Sequence, residues 1–222
     1  MSNILIVAAH ADDETLGCGG TIAKHCARGD YVHVVFMADG VSSRDDAKSS
    51  EVVRRENSVK KALAELGVDE YHFLDFPDNR MDQVALLDVV KPLEKIVSEV
   101  NPRIIYTHHY GDLNVDHRIC HQAVMTACRP VPDSCVQEIL CFEVMSSTEW
   151  ATRGVMPFIP NVFVDITEQW DVKRKALEMY EMEMRPSPHS RSMRNLEALA
   201  IYRGHSCGLM MAEGFEIVRS IR

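Results

Sequence analysis

A chain of 222 residues, 46% of them hydrophobic, holds enough apolar side chains to bury a full core, and its length fits one domain. A net charge of −9 without any basic stripe excludes nucleic acid as an expected partner, and seven cysteines, odd in number and without a C-x-x-C pair, point to reduced thiols rather than disulfides or a zinc ribbon. No apolar run approaches the ~20 residues of a membrane span, and the N-terminal ILIVA is too short for a signal sequence, so no membrane span is expected and the expected location is the cytoplasm.

The run ILIVA (4–8), rich in branched aliphatics and closed by polar residues, predicts a buried parallel strand. Its carboxyl end, where open α/β sheets bind ligands, opens into a loop with His10, Asp12, Asp13 and Glu14. A helix is expected over 15–28, with Leu16, Ile22, Ala23 and Cys26 as its apolar stripe, then a strand over 31–38 leading into Asp39-Gly40. The polar stretch 41–50 precedes a helix over 51–66 that stops at Gly67. A third strand (71–74) runs into DFPDNRMD, a loop dense in groups able to bond a polyol, and a helix over 84–100 ends before Asn101-Pro102. The fourth strand (103–107) exits into HHYGDLNVDH, followed by a helix over 116–128. Beyond it come strands at 139–145 and 161–166, a helix over 168–184, the segment RPSPHSRS and a last helix over 193–202. Strands alternating with helices of ordinary length imply right-handed β-α-β units. The expected fold is α/β, a Rossmann-like three-layer sandwich with a mostly parallel sheet, forming a single domain over 1–222.

Three features bear on chemistry. His10 and Asp13, three apart at a strand end, can converge on one ion, and mixed nitrogen and oxygen ligation with an open position is the pattern of a catalytic zinc. His117, just past a strand exit, is the chosen third ligand, but His109 and His121 lie nearby, and His117 with His121 at i, i+4 is also a possible helical pair. Asp12, beside a ligand yet free of the ion, suits a general base acting on water whose pKa zinc lowers to ~7. Fe2+ could use the same ligands. Arg44, Asn79, Arg80 and Asp82 sit on loops at the expected site edge, where they could fix sugar hydroxyls or, through the two arginines, a phosphate. Glu14 either orients a ligand or stabilises a helix start. The Gly17, Gly19 and Gly20 cluster suggests a second reading, a non-catalytic nucleotide-binding module, although no G-x-G-x-x-G directly follows the strand.

AAHADDETLGCGG together with NVDH resembles the PIG-L/LmbE-like zinc-dependent deacetylases, whose first motif is (A)HPDDE and whose second is an HxDH-type sequence opening a helix. The similarity extends to DGVSSR, FPDNRMD, SPHSRS and the AEGFEIVR ending, which resemble bacterial members acting on N-acetyl sugars. The resemblance implies an LmbE-like fold, His10, Asp13 and His117 as zinc ligands, and Asp12 as general base. It also implies removal of the acetyl group from a small-molecule N-acetyl amino sugar or sugar conjugate, and a homo-oligomer. An amidase cleaving a larger amide of a sugar or thiol conjugate is the alternative within the same scaffold. Two positions depart from the pattern: Ala11 replaces a proline, and Asn114 replaces the first histidine of HxDH. Asparagine donates a hydrogen bond without carrying charge, so Asn114 needs a substitute beside it. His189, on a proline-flanked loop similar to a PHPRS segment of related sequences, is the leading candidate, and His205 the next.

Overall fold

The computed structural model of the chain describes residues 1–38 and 49–222; Arg44 lies outside the described residues. Strand β1 (Asn3–Ala8) is flanked on one side by β2 (Tyr31–Ala38) and β3 (Glu70–Phe76). On the other side follow β4 (Ile104–His108), β5 (Glu138–Phe142), β7 (Ala212–Ser220) and β6 (Val162–Asp165). Pairing is parallel except for β7, which runs antiparallel to both β5 and β6.

The pleat of β1 divides its side chains between two layers. Ile4, Ile6 and Ala8 pack with α1 (Asp13–Ala27), α2 (Ser49–Leu66), α5 (Trp170–Glu178) and α6 (Met193–His205). Leu5, Val7 and Ala9 pack on the opposite face with α3 (Leu86–Val100) and α4 (Val115–Ala127). A strand covered on both faces has no polar side, which is why ILIVA is an unbroken apolar run. The expected three-layer sandwich is therefore the observed one. From β1 the chain winds outward through β2 and β3, then returns to β4 on the other side of β1. The carboxyl ends of β1 and β4 thus frame the switch-point crevice in which such sheets bind ligands.

The structure differs from the sequence reading in three elements. Strand β7 joins the sheet between β5 and β6, although the sequence reading assigned no strand to it. The helix expected over 168–184 ends at Glu178, and the following turns bring Tyr180 and Glu183 back toward the crevice. Helix α1 is broken at Cys18 (φ −145°). The N–H groups of Gly20 and Thr21 there donate to Glu213 of β7 at 2.9 and 2.7 Å. Buried Lys173 of α5 bonds the same carboxylate at 2.6 Å and the Leu16 carbonyl at 2.9 Å.

The glycines of α1 are required by close packing. A Cβ on Gly17 would lie 2.3 Å from the Phe142 ring, and one on Gly20 would lie 2.8 Å from Ile166. Gly19 between them lies against Thr15 and Lys173, so packing accounts for the cluster that suggested nucleotide binding. Among the described residues, no helix is long and apolar enough to cross a membrane.

Candidate active site

The loop leaving β1 turns sharply at Asp12, whose φ of 118° is rare for a residue with a side chain. Its N–H donates to Glu14 Oε2 at 3.0 Å, and Glu14 in turn accepts from the hydroxyls of Thr15 (2.6 Å) and Tyr180 (2.7 Å). Arg55 holds the Ala11 carbonyl at 3.1 Å. This turn directs Asp13 inward, where Oδ2 accepts the His10 N–H at 2.8 Å and lies 3.3 Å from both His10 Nδ1 and His117 Nε2. His117 arrives from the first turn of α4, which Asn114 caps by accepting the Asp116 N–H at 2.8 Å. Ligand atoms of His10, Asp13 and His117 all lie within 4.8 Å of one another, and the three residues are buried.

The far side of each imidazole is backed by carboxylate. His10 Nε2 lies 3.1 Å from both Asp116 Oδ2 and Asp78 Oδ1, and Asp116 also accepts the N–H groups of Asn79 (2.6 Å) and Met81 (3.0 Å). His117 Nδ1 lies 3.2 Å from Asp112, a carboxylate held by the hydroxyls of Ser147 and Thr148 and by the Asn114 N–H. Such backing fixes the tautomer of a metal-binding histidine and turns its other nitrogen forward. His10, Asp78 and Asp116 form a second compact group, but Asp116 is engaged by two backbone N–H groups, so we assign it to the support of His10.

The donor set fits a cation. Asp13 Oδ1 is buried without a hydrogen-bond partner among the described residues, a state that costs ~1–3 kcal/mol or more when nothing compensates it. Burial opposes charge on both imidazoles, yet Asp116, Asp13 and Asp78 hold His10 well above the usual histidine range. Asp13 and Asp112 likewise hold His117 up at about 9 against its burial. Burial pushes the Asp112 carboxyl up, but its bonds to His117, Ser147 and Thr148 outweigh that and hold it at about 2. The crevice is therefore a region of negative potential that favours positive charge.

Geometry separates the neighbouring histidines. His109 Nδ1 lies 2.6 Å from Glu216 and its Nε2 2.9 Å from the Met156 carbonyl, while His121 Nδ1 lies 3.1 Å from the His108 carbonyl. His108 Nε2 accepts the Ala9 N–H at 2.8 Å and is thereby occupied. His108 Nε2 lies 3.5 Å from Asp13 Oδ2 and His117 Nε2 3.3 Å from it, but only the His117 nitrogen is not taken by a backbone N–H.

Above the cluster lies an open cleft of about 190 Å³ with an almost wholly polar lining. Asp12 points into it, with Oδ2 accepting from Arg191 Nη1 at 2.7 Å, while Arg191 Nε donates to Ser146 Oγ at 2.6 Å. Burial pushes the Asp12 carboxyl up to about 6, with Arg191 opposing the rise. Glu183 lies 3.3 Å from Arg55 Nη1 and 3.9 Å from Arg191 Nη1.

The sequence-predicted edge residues separate. Asn79 and Asn114 both line the cleft, joined by a 3.1 Å bond from Asn114 Nδ2 to Asn79 Oδ1. Arg80 and Asp82 are exposed and outside its lining, because the one-turn helix Met81–Gln83 buries Met81 in the core and turns its neighbours to solvent. His189 also lies outside the lining: its Nδ1 accepts the Arg191 N–H at 3.0 Å and its ring stands edge-on to Trp150. His205 is exposed near the end of α6. The segment SPHSRS therefore delivers Arg191 rather than His189. Sequence reasoning missed Arg191, Arg55, Asp78, Glu183 and Asp112; for Arg191 the available signal was its place in the same segment, two residues after the favoured histidine.

Fold and site together define a doubly wound α/β chain with a His–Asp–His cluster that could hold a metal ion and a carboxylate–guanidinium pair at its switch point. The chain belongs to the PIG-L family, described as GlcNAc-PI de-N-acetylase, whose model matches residues 5–128 and so contains the cluster and Asp12. It is 33% identical to the uncharacterized deacetylase YaiS of Escherichia coli (strain K12) over 184 residues, 80% of this chain and 90% of that protein. It is 25% identical to a diacetylchitobiose deacetylase of Thermococcus kodakarensis, over 100% of this chain and 85% of the relative. Among solved structures, GalB of Pseudomonas putida KT2440, a 4-carboxy-2-hydroxymuconate hydratase, superposes with a TM-score of 0.80 at 22% identity, over 100% of this chain and 98% of that one. That likeness speaks to the fold alone, since one fold hosts unrelated chemistries.

Proposed function

We propose that this chain is a metal-dependent hydrolase that removes the acetyl group from an N-acetylated amino sugar or sugar conjugate. One observation carries the reading: a buried carboxylate, Asp12, stands in a polar cleft beside the ion-binding cluster without being part of it, 2.7 Å from Arg191. The relatives named as deacetylases support amide hydrolysis, and the polar lining supports a polyhydroxylated ligand. His10, Asp13 and His117 would hold the ion, zinc by the chemistry of two imidazoles and a carboxylate, or Fe2+ in the same set. Such an ion supplies Lewis acidity toward the acetamide carbonyl and lowers the pKa of water to ~7.

The chain's own groups handle the proton and the charge. Asp12, with its carboxyl pushed up to about 6 by burial, takes a proton from the attacking water near neutral pH. The water oxygen bonds to the carbonyl carbon, the C–N bond breaks, and the proton on Asp12 passes to the departing amine, releasing acetate and the amino sugar. Arg191 keeps Asp12 aimed and contributes the positive charge that Asn114 cannot carry toward the developing oxyanion. Asn79 and Asn114 serve as neutral hydrogen-bonding groups on the cleft wall, and His189 supports the Arg191 backbone. The seven free cysteines suit the reducing cytoplasm.

The test is metal content and acetate release measured together on protein purified without chelator. The reading expects one ion per chain, and Asp12→Ala should keep the ion while losing about 100- to 10,000-fold in turnover. A wild-type protein that retains no added zinc, or an Asp12→Ala protein that loses metal and activity in step, overturns the assignment.

A further inference from the structure

The same cleft bears on what the acetamido group is attached to. Resting on the function proposed above, we infer that the substrate is a neutral N-acetyl saccharide rather than a phosphorylated, nucleotide-linked or carboxylated conjugate.

Among the described residues, the two guanidinium groups that line the cleft, those of Arg55 and Arg191, already face carboxylates. Arg191 Nη1 lies 2.7 Å from Asp12 and 3.9 Å from Glu183, and Arg55 Nη1 lies 3.3 Å from Glu183. These four side chains are at most 19% exposed, so their charges are little screened by water. Asp78 adds another buried carboxylate, 3.1 Å from His10. With Asp13, and with Asp116 and Asp112 behind His10 and His117, six carboxylates among the described residues stand against two guanidinium groups, so a dication in the His10–Asp13–His117 set still leaves no positive surplus among them.

An incoming phosphate or carboxylate would have to take an arginine from its present partner. Capturing Arg191 would strip Asp12, the proposed base, of its cation; capturing Arg55 would leave Glu183 facing the anion. Sugar hydroxyls meet no such obstacle. Carboxylates accept from them, and Asn79, Asn114, Ser146 and Ser147 line the cleft with groups that both donate and accept.

The experiment compares acetate release by the metal-loaded protein from N-acetylglucosamine and N,N'-diacetylchitobiose with release from N-acetylglucosamine 1-phosphate, the 6-phosphate and UDP-N-acetylglucosamine. We expect kcat/KM to favour the better neutral substrate by about tenfold or more, and the ratio to narrow as ionic strength rises from ~0.01 M to ~1 M. Glu183→Gln should narrow it as well, by removing one repelling charge. In a binding readout independent of turnover, glucosamine should raise the melting temperature more than glucosamine 6-phosphate. A phosphorylated or nucleotide-linked sugar turned over as well as the neutral ones overturns this inference and leaves the deacetylase reading intact. Acetate from none of the five overturns both.

Discussion

Replacing Arg191 with methionine removes the guanidinium that donates to Asp12 while keeping much of the side-chain length. The Asp12 side chain is 4% exposed and that of Arg191 19%, so the pair sits where solvent screens it little. A hydrogen bond to a charged group is worth ~1.5–3 kcal/mol. Since one pKa unit corresponds to about 1.36 kcal/mol, losing that bond should move the Asp12 titration upward by about one to two pH units. The direction follows from the balance at this carboxyl: burial is the larger influence and raises it to about 6, and Arg191 opposes the rise. A general base acts in its deprotonated form, so the acid limb of kcat/KM should shift to higher pH in the variant by that amount. Arg191→Lys keeps the charge but loses the fork that also reaches Ser146, and its limb should move less. The assay is acetate release against pH on protein of equal metal content, with the limb fitted for each variant. An acid limb unmoved in Arg191→Met would refute the assignment of Asp12 as the titrating base held by Arg191.

Two further predictions concern the frame of the site. Glu213→Ala leaves the Lys173 ammonium buried and uncompensated and removes the acceptor of the Gly20 and Thr21 N–H groups, so it should cost ~3–5 kcal/mol and lower Tm by roughly 10 °C. Adding Lys173→Met should restore only part, because the N–H groups at the helix break stay unpaired; a fall below about 2 °C in the single variant would contradict the account. For His109, burial lowers the pKa but Glu216 outweighs it and the net direction is upward, so the folded value exceeds the ordinary 6.5. Stability from this pair is therefore fully present below about pH 6.5 and lost as pH rises through the folded value, and Glu216→Gln should destabilise the protein more at about pH 5.5 than at about pH 9 in denaturant titrations.

That His10, Asp13 and His117 come together was legible because the first half of the group is local. His10 and Asp13 sit just past an apolar run (4–8) whose every residue is buried, so the strand signal and the candidate-ligand signal coincide. Asp12 could be singled out for the same reason, but its partner could not: Arg191 lies 179 residues away, and nothing in the local pattern of SPHSRS says whether His189 or Arg191 turns inward. Strand β7 escaped notice because Glu213 and Glu216 interrupt its apolar pattern. Each is buried for a tertiary reason invisible in sequence, Glu213 beneath the break in α1 and Glu216 against His109. Arg80 and Asp82 looked useful because the loop is polar, yet burial of Met81 between them decides their direction. The glycine cluster misled for the opposite reason, since its spacing answers to Phe142 and Ile166, residues far along the chain.

Adjacent carboxylates with separate duties pose a geometric problem, and the backbone at Asp12 resolves it. An ordinary helix start would carry Asp12 and Asp13 along one smooth turn; the φ of 118° instead sends Asp13 to the imidazoles and Asp12 to the cleft. Such a conformation costs of order 1–3 kcal/mol and persists only where surroundings enforce it. Here the enforcement comes from Glu14, which accepts the Asp12 N–H, and from Tyr180, which fixes Glu14. Asn79 and Ser146, with φ of 53° and 69°, line the same cleft after β3 and β5, so three of its loops share this left-handed backbone. Tyr180, Glu183 and Arg191 all lie beyond residue 128, where the family model ends. The matched portion thus holds the candidate ion set with Glu14, Arg55 and Asp78, whereas Tyr180, Glu183 and Arg191, which complete the surroundings of Asp12, come from the remainder. Between chains that keep the cleft residues of the first portion, differences in substrate should accordingly trace to positions such as Ser146, Ser147, Glu183 and Arg191.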